Sequence, residues 1–568
     1  MPNKPNWRTF VIACLLILAG SVLAHQIQTA GDIEIKDVHF TGANGNTLSA
    51  LLYVPDNASA DTPAPGILAV HGYINSREVQ SGFAIEFARR GYVVLALDQA
   101  GHGYSDAPAF ANGFGGPAAL NYLRSLDIVD TNNIGLEGHS MGGWTVLAAA
   151  AAAPDDYKSM VLQGSSTGSG MALPGTPDWP RNVSLVFAQY DEFAPLMWEV
   201  AKGADAGNSS KLQTLFGTSA PVVEGQVYGS IADGSARIWH SPPVTHPGNH
   251  LSHESIGHAT DWFAQTLEGG TPDAVSDQIW FYKEIGTLIG LIGFVMLILG
   301  SFNILLLTPW FSGLYSPDSP TAYVRRTGKW WFAAIVSAVI PVATFYPAMS
   351  WGAALMPASA WFPQAITSQI AVWAIVNGVI FTILGFIIRT GKLTYSHRLL
   401  PSFSIAVATV GMAYLSVLAV DFLFKVDFRF WFVGVKAMSL SQVQMMLVYL
   451  IPFMVFFVLA LRALHSGLSV ASDRPLQQYT SNALALMGGF LAFLLAQYIS
   501  LFTRGVLITP AEPLNTIVMI QFVPMLLIVG IISTYTYRRT ASYLPGAFIN
   551  ALFVSWYIVA GQATQFAG

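Results

Sequence analysis

The sequence predicts an α/β fold, a mostly parallel sheet covered by helices on both faces, followed by an all-α transmembrane bundle. Short β-branched runs alternate with helical patterns between about residues 33 and 240, and long apolar runs follow one another from Trp280 onward. Of the 568 residues, 53% are hydrophobic and only 10% are charged, against about 25% charged in soluble chains. We therefore divide the chain into residues 1–28, an α/β domain over 29–275 and a membrane domain over 276–568.

The N-terminal segment predicts either a transmembrane anchor or a signal peptide. Lys4 and Arg8 precede an apolar run from Phe10 to Ala24, which contains Cys14, the only cysteine of the chain. Both interpretations export the domain that follows. A single cysteine also excludes an intrachain disulfide.

The α/β domain opens with an antiparallel strand pair and continues as alternating strands and helices. We predict strands over 33–41, 47–55, 66–71, 92–98, 134–137, 159–163, 184–188 and 236–240. Helices are predicted over 79–90, 117–126 and from residue 143 onward, with a last helix that ends at Asp261-Trp262-Phe263. This alternation is typical of a largely parallel sheet with helices on both faces.

The membrane domain contains about eight apolar stretches, each at least as long as the about 20 residues that a spanning helix needs. They lie near 281–308, 330–350, 365–388, 402–424, 443–463, 480–502, 514–535 and 542–563. Basic residues gather in alternate loops, as Arg325, Arg326, Lys329; Arg389, Lys392, Arg398; Arg462, Arg474; Arg538 and Arg539. Because cytoplasmic loops carry an excess of Lys and Arg, we expect a multi-pass plasma-membrane protein whose α/β domain and C-terminus are extracytoplasmic.

A candidate nucleophile follows the strand at 134–137. There Gly138-His139-Ser140-Met141-Gly142-Gly143 forms a G-x-S-x-G motif between a strand and a helix. The glycines allow the sharp turn that exposes a serine hydroxyl at the N-terminus of a helix. We expect the backbone N–H groups of Tyr73, after the strand at 66–71, and of Met141 to form an oxyanion hole.

The acid and the base should follow Ser140 in the chain. The strand at 184–188 is followed by Asp191 and Glu192, of which Asp191 is preferred and Glu192 is the alternative. After the last strand, His246, His250 and His253 are candidate bases, with His246 first and His250 second. His240, His246, His250, His253 and His258 cluster near Glu254, but their spacing is not that of an H-E-x-x-H metal site, so no metal and no cofactor are predicted.

These motifs resemble the α/β-hydrolase superfamily, near its esterase and dienelactone-hydrolase-like members. The resemblance covers roughly residues 33–268 and implies a Ser-Asp-His triad of Ser140, Asp191 and His246. It also implies a minimal lid, because only about 20 residues separate the strands that end at Gln163 and Ala188. The segment from 195 to 235, with Trp198, is expected to pack rather than to form an acyl pocket.

The expected function is hydrolysis of a carboxylic ester, such as an acyl lipid or an envelope ester, through an acyl-enzyme. One alternative is an acyltransferase that uses the same residues. A second is a transporter or receptor with a hydrolase-like binding domain. A net charge of −5 without a basic block argues against a nucleic-acid partner, so the expected partners are an acyl ester and the lipid bilayer, and the sequence leaves the oligomeric state open.

Overall fold

The computed structural model describes residues 6–271, 273–318, 320–388 and 398–566. Lys4, Arg389 and Lys392 lie outside the described residues. The chain begins with helix α1 (Arg8–Gln28). It then forms an eight-stranded sheet with strands β1 (Glu34–Thr41), β2 (Thr47–Val54), β3 (Ala64–Val70), β4 (Val93–Asp98), β5 (Val129–His139), β6 (Ser159–Gln163), β7 (Val183–Val186) and β8 (Arg237–His240).

The strand order is β1-β2-β4-β3-β5-β6-β7-β8. β2 pairs antiparallel with β1 and with β4, and every other pair in this sheet is parallel. The predicted α/β class is confirmed. Strand β5 begins at Val129, five residues before its predicted start at Ile134. The polar run from Asp130 to Asn133 lacks the sequence pattern of a strand, but Asp130 pairs with Pro65 of β3.

Helices cover both faces of this sheet. They are α2 (Ser81–Arg89), α3 (Gly116–Arg124), α4 (Met141–Ala152), α5 (Ala194–Trp198), α6 (Ser210–Phe216) and α7 (His253–Thr266). Alternate residues of β3 belong to different cores: Ile67 packs in the core with α2 and α7, and Leu68 packs in the core with α3 and α4. This alternation follows from the pleat, which directs successive side chains to opposite faces.

The remaining elements form a helical region, in which α1 packs against α8. Its helices are α8 (Trp280–Leu305), α9 (Gly328–Ala343), α10 (Phe345–Leu355), α11 (Ala365–Ile388), α12 (Leu399–Phe424), α13 (Leu440–Leu468), α14 (Pro475–Arg504), α15 (Pro513–Thr540) and α16 (Leu544–Gly561). A hairpin of β9 (Phe428–Phe430) and β10 (Val433–Val435) lies between α12 and α13.

In the described part of the chain, eight helices are long and apolar enough to cross a membrane, or nine if α9 and α10 together form one span. The predicted stretch at 330–350 is therefore two helices, bent by 47° at Thr344. Close approach of α1 and α8 depends on glycine, since a Cβ on Gly286 would lie 2.7 Å from the backbone nitrogen of Ala24. Small residues of this kind are typical of helix contacts in membranes.

The loops at the two ends of the helical region differ in their contacts. The connection between α12 and α13 contacts the segment between β3 and α2, where Lys436 Nζ lies 3.1 Å from both carboxylate oxygens of Glu78. At the loops predicted to be basic, Arg326 pairs with Asp473 at 2.9 Å, and the Ser316 N–H donates to the carbonyl oxygen of Arg539 at 2.7 Å. Loops that alternate along the chain are thus joined to one another.

Candidate active site

Ser140 lies at the sharp turn between β5 and α4. Its φ of +54° is in the left-handed region, which is strained for a residue with a side chain. Two glycines make the turn possible, because a Cβ on Gly142 would lie 2.2 Å from the carbonyl oxygen of Val70 and one on Gly138 would lie 2.3 Å from the carbonyl oxygen of Gly142. The Ser140 N–H donates to the Gln163 carbonyl at 2.8 Å, which fixes the turn against β6.

Asp191 and His246 are brought together by the loops that follow β7 and β8. The Nδ1 atom of His246 lies 2.9 Å from Oδ2 of Asp191, and both side chains are buried. The other Asp191 oxygen accepts a hydrogen bond from the Phe193 N–H at 2.8 Å. The carboxylate therefore holds the imidazole with Nδ1 as donor, which leaves Nε2 as the proton acceptor.

Electrostatics around His246 favour a basic imidazole. Burial by itself lowers the pKa of His246, but the negative charge of Asp191, its hydrogen bond and the Glu192 carboxyl together raise the pKa above the ordinary 6.5. An imidazole tuned in this way is suited to accept a proton from a hydroxyl and to return it later.

Glu192, the alternative acid, has a different environment. Its Oε2 accepts the backbone N–H of His246 at 2.7 Å, and its Oε1 accepts the hydroxyl of Tyr498 from α14 at 2.9 Å. Burial, followed by the charge of Asp191, raises the pKa of Glu192 to about 7. Glu192 therefore supports the loop of His246 and makes no contact with the imidazole nitrogens in the hydrogen-bond network.

The alternative base, His250, is buried and lines the same cavity as Ser140, but neither of its ring nitrogens has a hydrogen-bond partner among the described residues. Burial lowers the pKa of His250 to about 3. The geometry thus favours His246. His253 lies elsewhere, where its Nδ1 is 3.0 Å from Oε1 of Gln278.

The two expected oxyanion donors lie at the cavity that Ser140 faces. Tyr73 and Met141 both line it, and neither backbone N–H donates a hydrogen bond within the described residues. His71 holds the loop before Tyr73, since its Nδ1 donates to the Gly72 carbonyl at 2.7 Å and its Nε2 accepts the Gln99 N–H at 3.2 Å. Free N–H groups at a helix start are suited to stabilise a negative oxygen.

Ser140 and His246 line one cavity of about 220 Å³. The Ser140 side chain is half-buried and, among the described residues, its hydroxyl makes no hydrogen bond. The hydrogen bond between a catalytic hydroxyl and its base often forms only when substrate is bound. Within the same residues, no group of three or more His, Cys, Asp or Glu side chains is arranged to hold a metal ion.

Comparison with known proteins supports the fold of this domain. Residues 65–197 match the family model described as alpha/beta hydrolase fold. The sheet and its helices have the α/β-hydrolase fold, and we call this part of the chain the hydrolase domain. The matched range contains Ser140 and Asp191, while His246 lies beyond it.

Two curated relatives match part of this hydrolase domain. A quorum-quenching protein, AidA, from Acinetobacter baumannii is 34% identical over 130 residues, or 20% of this chain and 39% of the relative. A monoacylglycerol lipase from Mycolicibacterium smegmatis is 32% identical over 133 residues, or 22% of this chain and 45% of the relative. The chain thus spans less than half the length of either relative.

Among solved structures, an esterase from Pyrococcus furiosus is 16% identical, with 42% of this chain and 94% of that chain covered and a TM-score of 0.29. The family model and the monoacylglycerol lipase are consistent with a hydrolase. Within the segment from 195 to 235, Trp198 and Leu212 are buried in the core that α3 and α4 share, as expected, but Leu196 and Met197 line the cavity of Ser140.

Sequence reasoning missed the part of the site that lies outside the hydrolase domain. Phe432 from the β9–β10 hairpin and Leu514, Ile517 and Gln521 from α15 also line the cavity of Ser140. The hairpin is anchored nearby, where the Trp431 indole N–H donates to the Pro247 carbonyl at 2.7 Å. The one signal in the sequence was Gln521, a polar residue within a long apolar run.

Proposed function

We propose that the chain is a membrane-bound serine hydrolase that cleaves carboxylic esters. The observation that carries the proposal is the 2.9 Å contact between His246 Nδ1 and Asp191 Oδ2, beside a cavity that Ser140 and His246 both line. A serine at an elbow, an imidazole and a buried carboxylate form the set of groups needed for acyl transfer to serine.

In the proposed mechanism, Ser140 Oγ attacks the acyl carbonyl carbon while His246 Nε2 takes its proton. The carbonyl oxygen becomes an oxyanion that accepts hydrogen bonds from the N–H groups of Tyr73 and Met141. The intermediate collapses, the ester C–O bond breaks, and His246 returns the proton to the leaving alkoxide. Water then attacks the acyl-enzyme, again with His246 as base, and the carboxylic acid and free Ser140 are released.

The proposal is tested with a panel of p-nitrophenyl and glyceryl esters and the purified full-length chain. Ser140→Ala should lower kcat by at least about 10⁴-fold, because the nucleophile is lost. Product analysis separates release of free acid from acyl transfer to another acceptor, which would identify an acyltransferase. Unchanged ester cleavage by Ser140→Ala, or no ester cleavage by the wild type, would contradict the proposal.

We further propose that the hydrolase domain lies outside the cytoplasm, at the plasma membrane. The support is the distribution of charge. The loops with Arg325, Arg326 and Arg474 are basic, as cytoplasmic loops are, whereas the loops that contact the hydrolase domain do not share this excess of basic residues. A membrane-impermeant fluorophosphonate should label Ser140 in intact cells. Labelling only after permeabilisation would show that the hydrolase domain faces the cytoplasm.

A further inference from the structure

The helical region completes the wall of the catalytic cavity. Leu514, Ile517 and Gln521 lie three and four residues apart on α15, a spacing that places them on one helix face, and all three line the cavity. An ester bound at Ser140 would therefore touch a helix of the bundle.

A second cavity of about 60 Å³ lies within the bundle, between α11, α13, α15 and α16. Its lining is almost entirely apolar and includes Phe453 of α13, Met525 and Val529 of α15, and Ile558 of α16. A cavity of this size is smaller than the about 150 Å³ that accommodates benzene. It is therefore too small for a ring and has room only for the last few carbon atoms of an alkyl chain.

Gln521 lines both cavities and thus stands between them. Its Oε1 accepts a hydrogen bond from the Tyr557 hydroxyl at 2.6 Å, and Tyr557 also lines the bundle cavity. The lining residues of helix α15 extend from Leu514 to Val529, which is a distance of about 22 Å along the helix axis at ~1.5 Å per residue. Among the described residues, Gln521 is the only one that lines both cavities, so a chain that reaches the bundle cavity from Ser140 has to pass its side chain.

We propose that the two cavities are one acyl-chain site, so that the substrate is an ester of a long-chain fatty acid. Its carbonyl lies at Ser140 and its alkyl chain passes Gln521 into the bundle. This inference rests on the proposed function and adds the substrate class. It also gives the helical region a role in catalysis, because apolar side chains of the bundle bind the alkyl chain by the hydrophobic effect.

The experiment fills the bundle cavity and measures chain-length preference with the full-length protein. Leu526 lines that cavity, whereas its neighbour Leu527 is 37% exposed and lines neither cavity. Leu526→Trp should lower the ratio of kcat/KM for p-nitrophenyl dodecanoate to that for p-nitrophenyl butanoate by at least about tenfold. Leu527→Trp should leave the ratio as in the wild type.

Overpacking can unfold a protein, so a smaller change accompanies it. Val529→Leu also fills the cavity and should shift the preferred chain to a shorter one. Cleavage of the butanoate that needs Ser140 shows that a variant is folded. If both folded variants keep the wild-type ratio, the acyl-chain site is refuted while the proposed function stands; if no ester is cleaved in a Ser140-dependent way, the proposed function itself fails.

Discussion

At the scale of single residues, the contact between Asp191 and His246 sets the chemistry. Both groups are buried and their nearest atoms are 2.9 Å apart. In the proposed mechanism, the carboxylate fixes the tautomer of the imidazole and stabilises the imidazolium that forms during attack. Among the described residues, Glu192 accepts the His246 backbone N–H and the Tyr498 hydroxyl but makes no hydrogen bond with the imidazole, so the two neighbouring acids have different partners.

Asp191→Asn should therefore lower kcat by about 10³–10⁴-fold, because the amide favours the wrong tautomer of His246. Glu192→Gln is the matched control, since its amide oxygen can still accept the His246 N–H, and it should lower kcat by less than about tenfold. Steady-state kinetics with a soluble ester measure both. Equal losses in the two variants would show that the acid has been assigned wrongly.

The pH dependence follows from the raised pKa of His246. A protonated imidazole cannot accept the Ser140 proton, so kcat/KM should fall as the pH decreases through an apparent pKa above 6.5. Glu192→Gln removes one of the charges that raise this pKa and should move the profile to lower pH. A profile that is flat through this range in the wild type would contradict His246 as the base.

The sequence predicted most of these residues because their chemistry depends on local context. Two of the signals are local: a G-x-S-x-G motif between a strand and a helix, and an acid that follows a later strand. The order of nucleophile, acid and base along the chain then ranks the candidates. The choice between His246 and His250 was not local. It depends on how the loop after β8 folds back on Asp191, and the three residues between the two histidines do not determine that fold.

At the scale of elements, the turn between β5 and α4 is the most constrained part of the domain. A Cβ on Gly142 would lie 2.2 Å from the Val70 carbonyl oxygen, so backbone would have to move. Gly142→Ala should lower stability by about 1–3 kcal/mol and remove ester cleavage. Gly411→Ala in α12, where a Cβ would meet no atom within 4 Å, should have neither effect, as thermal unfolding in detergent would measure. Full activity of Gly142→Ala would contradict the tight elbow.

The predicted elements differ from the structure where tertiary pairing outweighs local pattern. The polar start of β5 is a strand because it pairs with β3. The sequence predicts one span for the apolar stretch at 330–350, because hydropathy does not reveal a bend. In the structure, α9 and α10 are inclined to each other by 47°. Pro341 was the local sign of this break, as proline removes a helical hydrogen bond.

At the scale of the whole molecule, a buried ion cluster joins the hydrolase domain to the helical region. Glu78 lies 3.1 Å from Lys436 and 3.5 Å from both Arg77 and Arg429. Burial raises the pKa of Glu78, but the charges of Lys436, Arg77 and Arg429 outweigh it and hold the pKa well below the usual value. The carboxylate is therefore ionised and fixes the β9–β10 hairpin beside the active site.

Lys436→Met should lower the free energy of unfolding by about 1.5–3 kcal/mol, since a buried charge-assisted hydrogen bond is lost while two cations remain. The expected result is a lower thermal midpoint for the detergent-solubilised protein. Lys425→Met, on the same loop but outside the cluster, is the control. Unfolding of Lys436→Met at the wild-type temperature would show that the cluster does not stabilise the interface.

Contacts between the two regions were beyond sequence reasoning. Arg429 and Lys436 lie in a loop of mixed charge whose sequence does not indicate their ion-pair partner. Ile517 has no feature in the sequence that distinguishes it from the other apolar residues of a spanning helix. Only the three-dimensional arrangement brings them to Glu78 and to the catalytic cavity. Composition predicts where membrane helices lie, but not what they touch.

The most direct test of the proposed chemistry is reaction of the folded full-length chain with a fluorophosphonate, followed by mass spectrometry of its peptides. We predict one covalent adduct on Ser140, formed much more slowly in His246→Ala because the hydroxyl then lacks its base. An unmodified Ser140 in folded wild-type protein, or labelling at the same rate without His246, would contradict the catalytic assignment.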